Sequence, residues 1–219
     1  MLSPAEDNQN ACLPYLDIQV SATTHDLLGA LLSAAPLPTV LFRSIDGTDL
    51  TSERLSELIA RAQHHNAAAL LADDPQLARA LKADGVHISP GPNVQARYEE
   101  ARDILGGRFI VGASAGKSRH DAMVLAELEA DYIAFGAPPV VRDQSKAKAN
   151  RLGLISWWAE VFEVPCVAFD ADKSEEIAEL AGAGADFIAI SIPAGLSIAE
   201  AVAKLNSANE IFSQTVRAC

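Results

Sequence analysis

A chain of 219 residues, 49% hydrophobic and 21% charged, can bury a large aliphatic core without disulfides or metals to hold it. The formal net charge of -12 and the lack of a basic stripe exclude nucleic acid and anionic membrane as general partners, so a phosphate ligand needs a local basic site. The length fits one α/β barrel, and no Pro/Gly/Ser-rich linker divides it.

The segment Met1 to Asn10 is acidic and polar, without the apolar run of a signal peptide or membrane span, and is expected to be a loose tail ahead of one domain over residues 11–219. Short apolar runs then alternate with longer amphipathic stretches, the pattern of repeated βα units. The predicted strands are Leu16–Val20, Thr39–Arg43, Ala67–Ala72, Gly85–Ile88, Phe109–Ala113, Tyr132–Phe135, Cys166–Phe169 and Phe187–Ser191. About eight strands close a barrel. Helix starts are signalled by Asp74-Pro75, by Ser118 and Ser197 ahead of Asp121 and Glu200, and by the stretch Asp172-Lys173-Ser174-Glu175.

An internal echo places Ala-Asp at three helix-to-strand junctions, Ala83-Asp84, Ala130-Asp131 and Ala185-Asp186. It favours a single parallel (β/α)8 TIM barrel over an open doubly wound sheet, which looks similar locally. Aspartates entering strands lie at the N-terminal face, where barrel residues serve stability. The cysteines Cys12, Cys166 and Cys219 are odd in number and widely spaced, without metal-ligand spacing, which fits a reducing cytoplasm.

Chemistry in such a barrel sits where the chain leaves the C-terminal ends of the strands. Arg43 offers a planar fork for phosphate oxygens, Asp73 a carboxylate for hydrated magnesium, and Ser114 a hydroxyl for an oxyanion. The bland alternatives are that Arg43 pairs with Asp73 or Asp74 and that Ser114 closes a turn. Asp74 reads as a helix cap. A loop of about 15 residues from Gly136 to Arg151, carrying Arg142, Lys146 and Lys148, reads as a lid or binding loop, with a disordered or merely solvated surface loop as the alternative. His87, between apolar neighbours, reads more readily as a satisfied core histidine than as a base.

The segments LLADDPQLARALKADGVHIS, FIVGASAGKS, LEADYIAFGAPP, VPCVAFDA and AGAGADFIAIS, in that order and spacing, resemble thiamine phosphate synthase and its relative TenI across most of the chain. The resemblance implies coupling of hydroxymethylpyrimidine pyrophosphate to thiazole phosphate with loss of pyrophosphate. It further implies Arg43 and Ser114 as catalytic residues, a ligand-binding set of Arg43, Ser114, His87, Gly136, Lys146 and Ser191, and Mg2+ at Asp73. The chain departs from the family pattern where Pro92 takes the place of the second magnesium aspartate, Asp170-Ala171-Asp172 that of a Gly-Gly pair near the thiazole phosphate, and Gly116-Lys117 the region of the TenI histidine.

Two readings stay open at this point, beside that of an unrelated enzyme on the same barrel, since fold does not fix function. One is a divergent family member binding a phosphorylated small molecule at a basic barrel mouth. The other is an inactive or repurposed barrel, binding another small molecule or a protein partner, with an acidic or apolar mouth dominated by Asp73, Asp170 and Asp172. A homo-oligomer is left open in both.

Overall fold

Each predicted apolar run becomes a strand of one parallel barrel in the computed structural model, which describes residues 12–44, 51–171 and 173–215. The tail predicted over residues 1–10 lies outside them, as do Asp172 and Cys219. The strands are β1 (Leu13–Gln19), β2 (Thr39–Arg43), β3 (Ala68–Ala72), β4 (Gly85–Ile88), β5 (Ile110–Ser114), β6 (Tyr132–Phe135), β7 (Cys166–Ala168) and β8 (Phe187–Ile192). They alternate with α1 (Thr24–Ala34), α2 (Ser52–His64), α3 (Pro75–Ala80), α4 (Val94–Leu105), α5 (Arg119–Glu127), α6 (Gln144–Val161), α7 (Ser174–Gly182) and α8 (Ile198–Thr215). The strands pair in sequence order, and β8 closes on β1 with Leu13 opposite Phe187.

Side chains alternate across each strand, so every strand serves two cores. Tyr15, Leu41, Leu70, Tyr132, Val167 and Ala189 pack together inside the barrel. Their neighbours Leu16, Val40, Leu71, Ile133, Ile188 and Ile190 join the larger cluster shared with the helices. Both faces are therefore buried, which is why the strands read as nearly continuous apolar runs. Gly112 on β5 leaves room for the Tyr132 ring, since a Cβ there would lie 2.0 Å from it.

The Ala-Asp echo marks a repeated joint. Lys82, Glu129 and Gly184 adopt left-handed conformations with φ of 58°, 62° and 93°. The following Ala83, Ala130 and Ala185 donate back to the carbonyls of Ala78, Leu125 and Leu180, the long bond of a Schellman helix end. Asn66 and Ala67 form a fourth such joint without the aspartate, with the Ala67 N–H bonded to the Ala62 carbonyl. The aspartates then each accept a backbone N–H from the preceding strand: Asp84 from Ala69 at 2.8 Å, Asp131 from Val111 at 2.7 Å and Asp186 from Cys166 at 2.8 Å.

Strand ends shift by one residue at β3, β5, β7 and β8, β1 begins three residues before the predicted Leu16 and ends one before Val20, and two helix starts differ from expectation. The second half of the long loop from Gly136 to Arg151 is helix, because α6 starts at Gln144 and the Asp143 side chain caps it by accepting the Lys146 N–H. Its apolar stripe begins only with Leu154, Ile155 and Trp158, so the polar first turns carry no helical periodicity. Near α7 the N-cap is Lys173 and makes no side-chain cap, unlike Asp74 and Ser118, whose side chains accept the Leu77 and Asp121 N–H groups. Ser197 and Glu200 form the reciprocal box expected of them.

The strand-entry aspartates give a first prediction. Asp84→Ala orphans the N–H of fully buried Ala69 and should cost about 1–3 kcal/mol, lowering the urea midpoint at an unchanged m-value.

Candidate functional site

Because inward-facing positions follow a period of two, the last inward residue of each strand meets the C-terminal mouth of the barrel. There Asp17, Arg43, Ser114, Gly136, Phe169 and Ser191 line a cavity of about 550 Å3, together with Lys117 and Lys204 from the surrounding loops and α8. The structure thus brings Arg43, Ser114, Gly136 and Ser191 to one cavity. Lys146 is exposed on the first turn of α6 and does not line it, and His87 lies behind the wall.

Arg43 is held by a buried carboxylate rather than by Asp73 or Asp74. Its Nε donates to Asp17 Oδ1 at 2.6 Å and its Nη1 to Ser89 Oγ at 2.8 Å, with the guanidinium carbon 5.5 Å from the centre of the Phe169 ring. Burial pushes the Asp17 carboxyl above its ordinary range, Arg43 opposes that shift, and the charge of Asp170 adds to it. The arginine is thereby fixed at the mouth by a partner of opposite sign.

Ser114 ends a chain of buried polar groups. Its Oγ lies 3.1 Å from His87 Nε2, His87 Nδ1 lies 2.9 Å from the Tyr132 hydroxyl, and that hydroxyl lies 2.9 Å from the hydroxyl of Tyr15. Burial first, then the positive charges of Arg43 and Arg97, drive the His87 pKa well below its ordinary 6.5. The imidazole is neutral and fully enclosed, as a satisfied core histidine, yet its second nitrogen reaches a residue of the cavity wall.

Around β7 the mouth is shaped by charge. Asp170 sits at φ 61°, and its carboxylate lies so close to Gly136 that a Cβ there would be 2.7 Å from Oδ2. Arg151 is buried beneath, its Nη1 donating to the carbonyls of Phe169 and Asp170 at 2.7 Å each. Lys148 and Arg151 both pair with Glu176. Arg151 therefore supports the loop instead of facing a ligand, and Arg142 is exposed outside the cavity. The mouth is mixed in sign: Asp17 and Asp170 face it with Arg43, Lys117 and Lys204, whereas Asp73 does not line it.

A family model described as thiamine monophosphate synthase matches residues 16–192, which cover every strand but the first three residues of β1. The chain belongs to the thiamine monophosphate synthase family. It is 38% identical over 179 residues to a thiamine-phosphate synthase of Rhodospirillum centenum, covering 81% of this chain and 83% of the relative. A thiamine-phosphate synthase of Erythrobacter litoralis is 40% identical over 141 residues, covering 63% of this chain and 65% of the relative, just short of two thirds of its length. The thiamine phosphate pyrophosphorylase of Pyrococcus furiosus superposes with a TM-score of 0.72 at 19% identity, over 95% of this chain and 99% of that one, which shows the shared fold.

Against the family's magnesium site the residues here fit poorly. Asp73, at φ 62°, gives Oδ1 to the Ser89 N–H at 2.8 Å and to Arg97 Nη2 at 2.5 Å, so a guanidinium already neutralises it. Pro92 offers no carboxylate, and no cluster of three or more metal-ligating side chains occurs among the described residues. Of the family's carboxylate pair only Asp73 is present, and Arg97 is bonded to it.

Sequence reasoning passed over Asp17, Lys117, Phe169 and Lys204 as site residues. Asp17 was signalled as the lone acid inside the apolar run Leu16–Val20, whereas Lys204 arrives from α8, reaching the Ser191 carbonyl at 3.0 Å.

The depressed His87 pKa has a direct consequence for stability. An unfolded histidine binds a proton below about pH 6.5 that folded His87 refuses, so stability should fall as pH drops below that value, by up to about 1.4 kcal/mol per pH unit. Denaturant titrations from pH 7 to 5 should show this slope in the wild type and a shallower one in His87→Gln.

Proposed function

We propose that the chain couples hydroxymethylpyrimidine pyrophosphate to thiazole phosphate, releasing pyrophosphate. The observation that supports this best is the meeting of Arg43 and Ser114 in one cavity at the barrel mouth of a family member, with Lys117 beside them. In the proposed step the bond from the pyrimidine methylene carbon to pyrophosphate oxygen breaks, and both electrons leave with the oxygen. The resulting cation is captured by the thiazole nitrogen lone pair, which forms the new C–N bond. Such a step needs positioned positive charge and donors at the leaving group, which Arg43, Lys117 and the Ser114 hydroxyl supply here. The reaction belongs to a cytoplasmic biosynthetic setting, a placement in keeping with the free thiols of buried Cys12 and Cys166. Among the described residues no helix is long and apolar enough to cross a membrane.

A second reading has its own observation. The Asp170 carboxylate against Gly136 occupies the region that the family resemblance assigns to the thiazole phosphate, and like charges repel. A repurposed barrel would keep the Arg43 end and reject the thiazole phosphate.

Calorimetric titration with each substrate, with and without magnesium, separates the two. The synthase reading expects both ligands to bind and Arg43→Ala to weaken the pyrophosphate ester by about 10- to 100-fold, the loss of charge-assisted hydrogen bonds. Binding of the pyrimidine ester alone, without turnover, favours the repurposed barrel. No heat with either from a folded protein overturns the proposal.

A further inference from the structure

The line of polar groups behind Ser114 has only one internally consistent direction. Tyr15 is buried, and its hydroxyl has the Tyr132 hydroxyl as its hydrogen-bond partner among the described residues. Its proton must therefore go to Tyr132, because an unshared buried O–H is strongly disfavoured. Tyr132 has then accepted from Tyr15, and its own proton has one acceptor left, Nδ1 of His87 at 2.9 Å. A neutral imidazole that accepts at Nδ1 carries its proton at Nε2. That N–H donates to Ser114 Oγ at 3.1 Å. The serine oxygen thus accepts from His87, which leaves its own proton free to point into the cavity that Ser114 lines. The opposite direction leaves the Tyr15 proton without an acceptor among the described residues.

We propose that Tyr15, Tyr132 and His87 form a one-way hydrogen-bond relay that presents the Ser114 hydroxyl to the cavity as a donor, which makes His87 and Tyr132 positioning residues for an anionic ligand. The choice of anion, a pyrophosphate, rests on the function proposed above; the direction of the relay does not. Packing holds the line in place. The His87 and Tyr132 rings are within 4° of parallel, Phe169 lies 5.1 Å from the imidazole, and Gly112 opens the space for Tyr132. An imidazole that stays neutral when buried keeps the same direction across the physiological range.

The direction is read on the free protein. A 15N-histidine NMR spectrum of the wild type should show His87 neutral with the proton on Nε2; a proton on Nδ1 overturns the relay. Its use is read with inorganic pyrophosphate as the probe. Tyr132→Phe should weaken binding at least about 3-fold in the wild-type background but by less than about 1.5-fold beside Ser114→Ala, since removing the terminal donor removes what the relay positions. Equal losses in both backgrounds mean that Tyr132 acts only through general structure and overturn the positioning role. A wild type that binds no pyrophosphate sinks the proposed function, while the spectrum still decides the relay.

Discussion

Closing eight parallel strands into a barrel leaves an interior only as wide as the side chains that fill it, and that constraint governs the rest of this molecule. Every second residue of each strand must contribute to the fill. The same alternation that stacks Tyr15, Leu41, Leu70 and Tyr132 inside carries Asp17, Arg43, Ser114 and Ser191 to the rim. Core and site are consecutive layers of one column of side chains. A one-residue slip of β2 would turn Arg43 outward toward the helices and put Phe42 in the barrel.

Because the layers are continuous, polar groups at the rim must be satisfied by what lies below. Arg43 meets Asp17, and Ser114 meets His87, which meets the tyrosine pair. Tyr15 and Tyr132 suit this depth because each fills the barrel with a ring and still brings a hydroxyl to a partner. Arg151 solves a similar problem at β7, where a buried guanidinium supports two loop carbonyls and holds the backbone that places Asp170 at the mouth.

Most of the architecture is legible in the sequence, because strands buried on both faces leave long apolar runs and strong caps such as Asp74 and Ser118 mark the helices between them. What escaped has identifiable causes. The start of α6 is polar because its first turns lie ahead of its packed stripe, so Lys146 looked like part of a binding loop. Arg97 could not be foreseen as the partner of Asp73, since ion pairs between elements leave no mark in local pattern. Lys117 and Lys204 reach the cavity by the meeting of distant elements. Arg43 and Ser114 stand out in the sequence because each follows an apolar run with a polar side chain, whereas the link from His87 to Ser114 joins separate strands and leaves no mark in it.

The helix ends at the opposite face carry a different lesson. Three of the four Schellman joints place Asn66, Lys82 and Glu129 in the left-handed region where glycine is the unstrained choice, and only Gly184 takes it. The floor of the barrel therefore holds unspent stability, at positions far from the mouth. Evolution or an engineer has room there to offset destabilising changes at the rim, so new specificity can be explored at one end of the barrel while the other end is tightened.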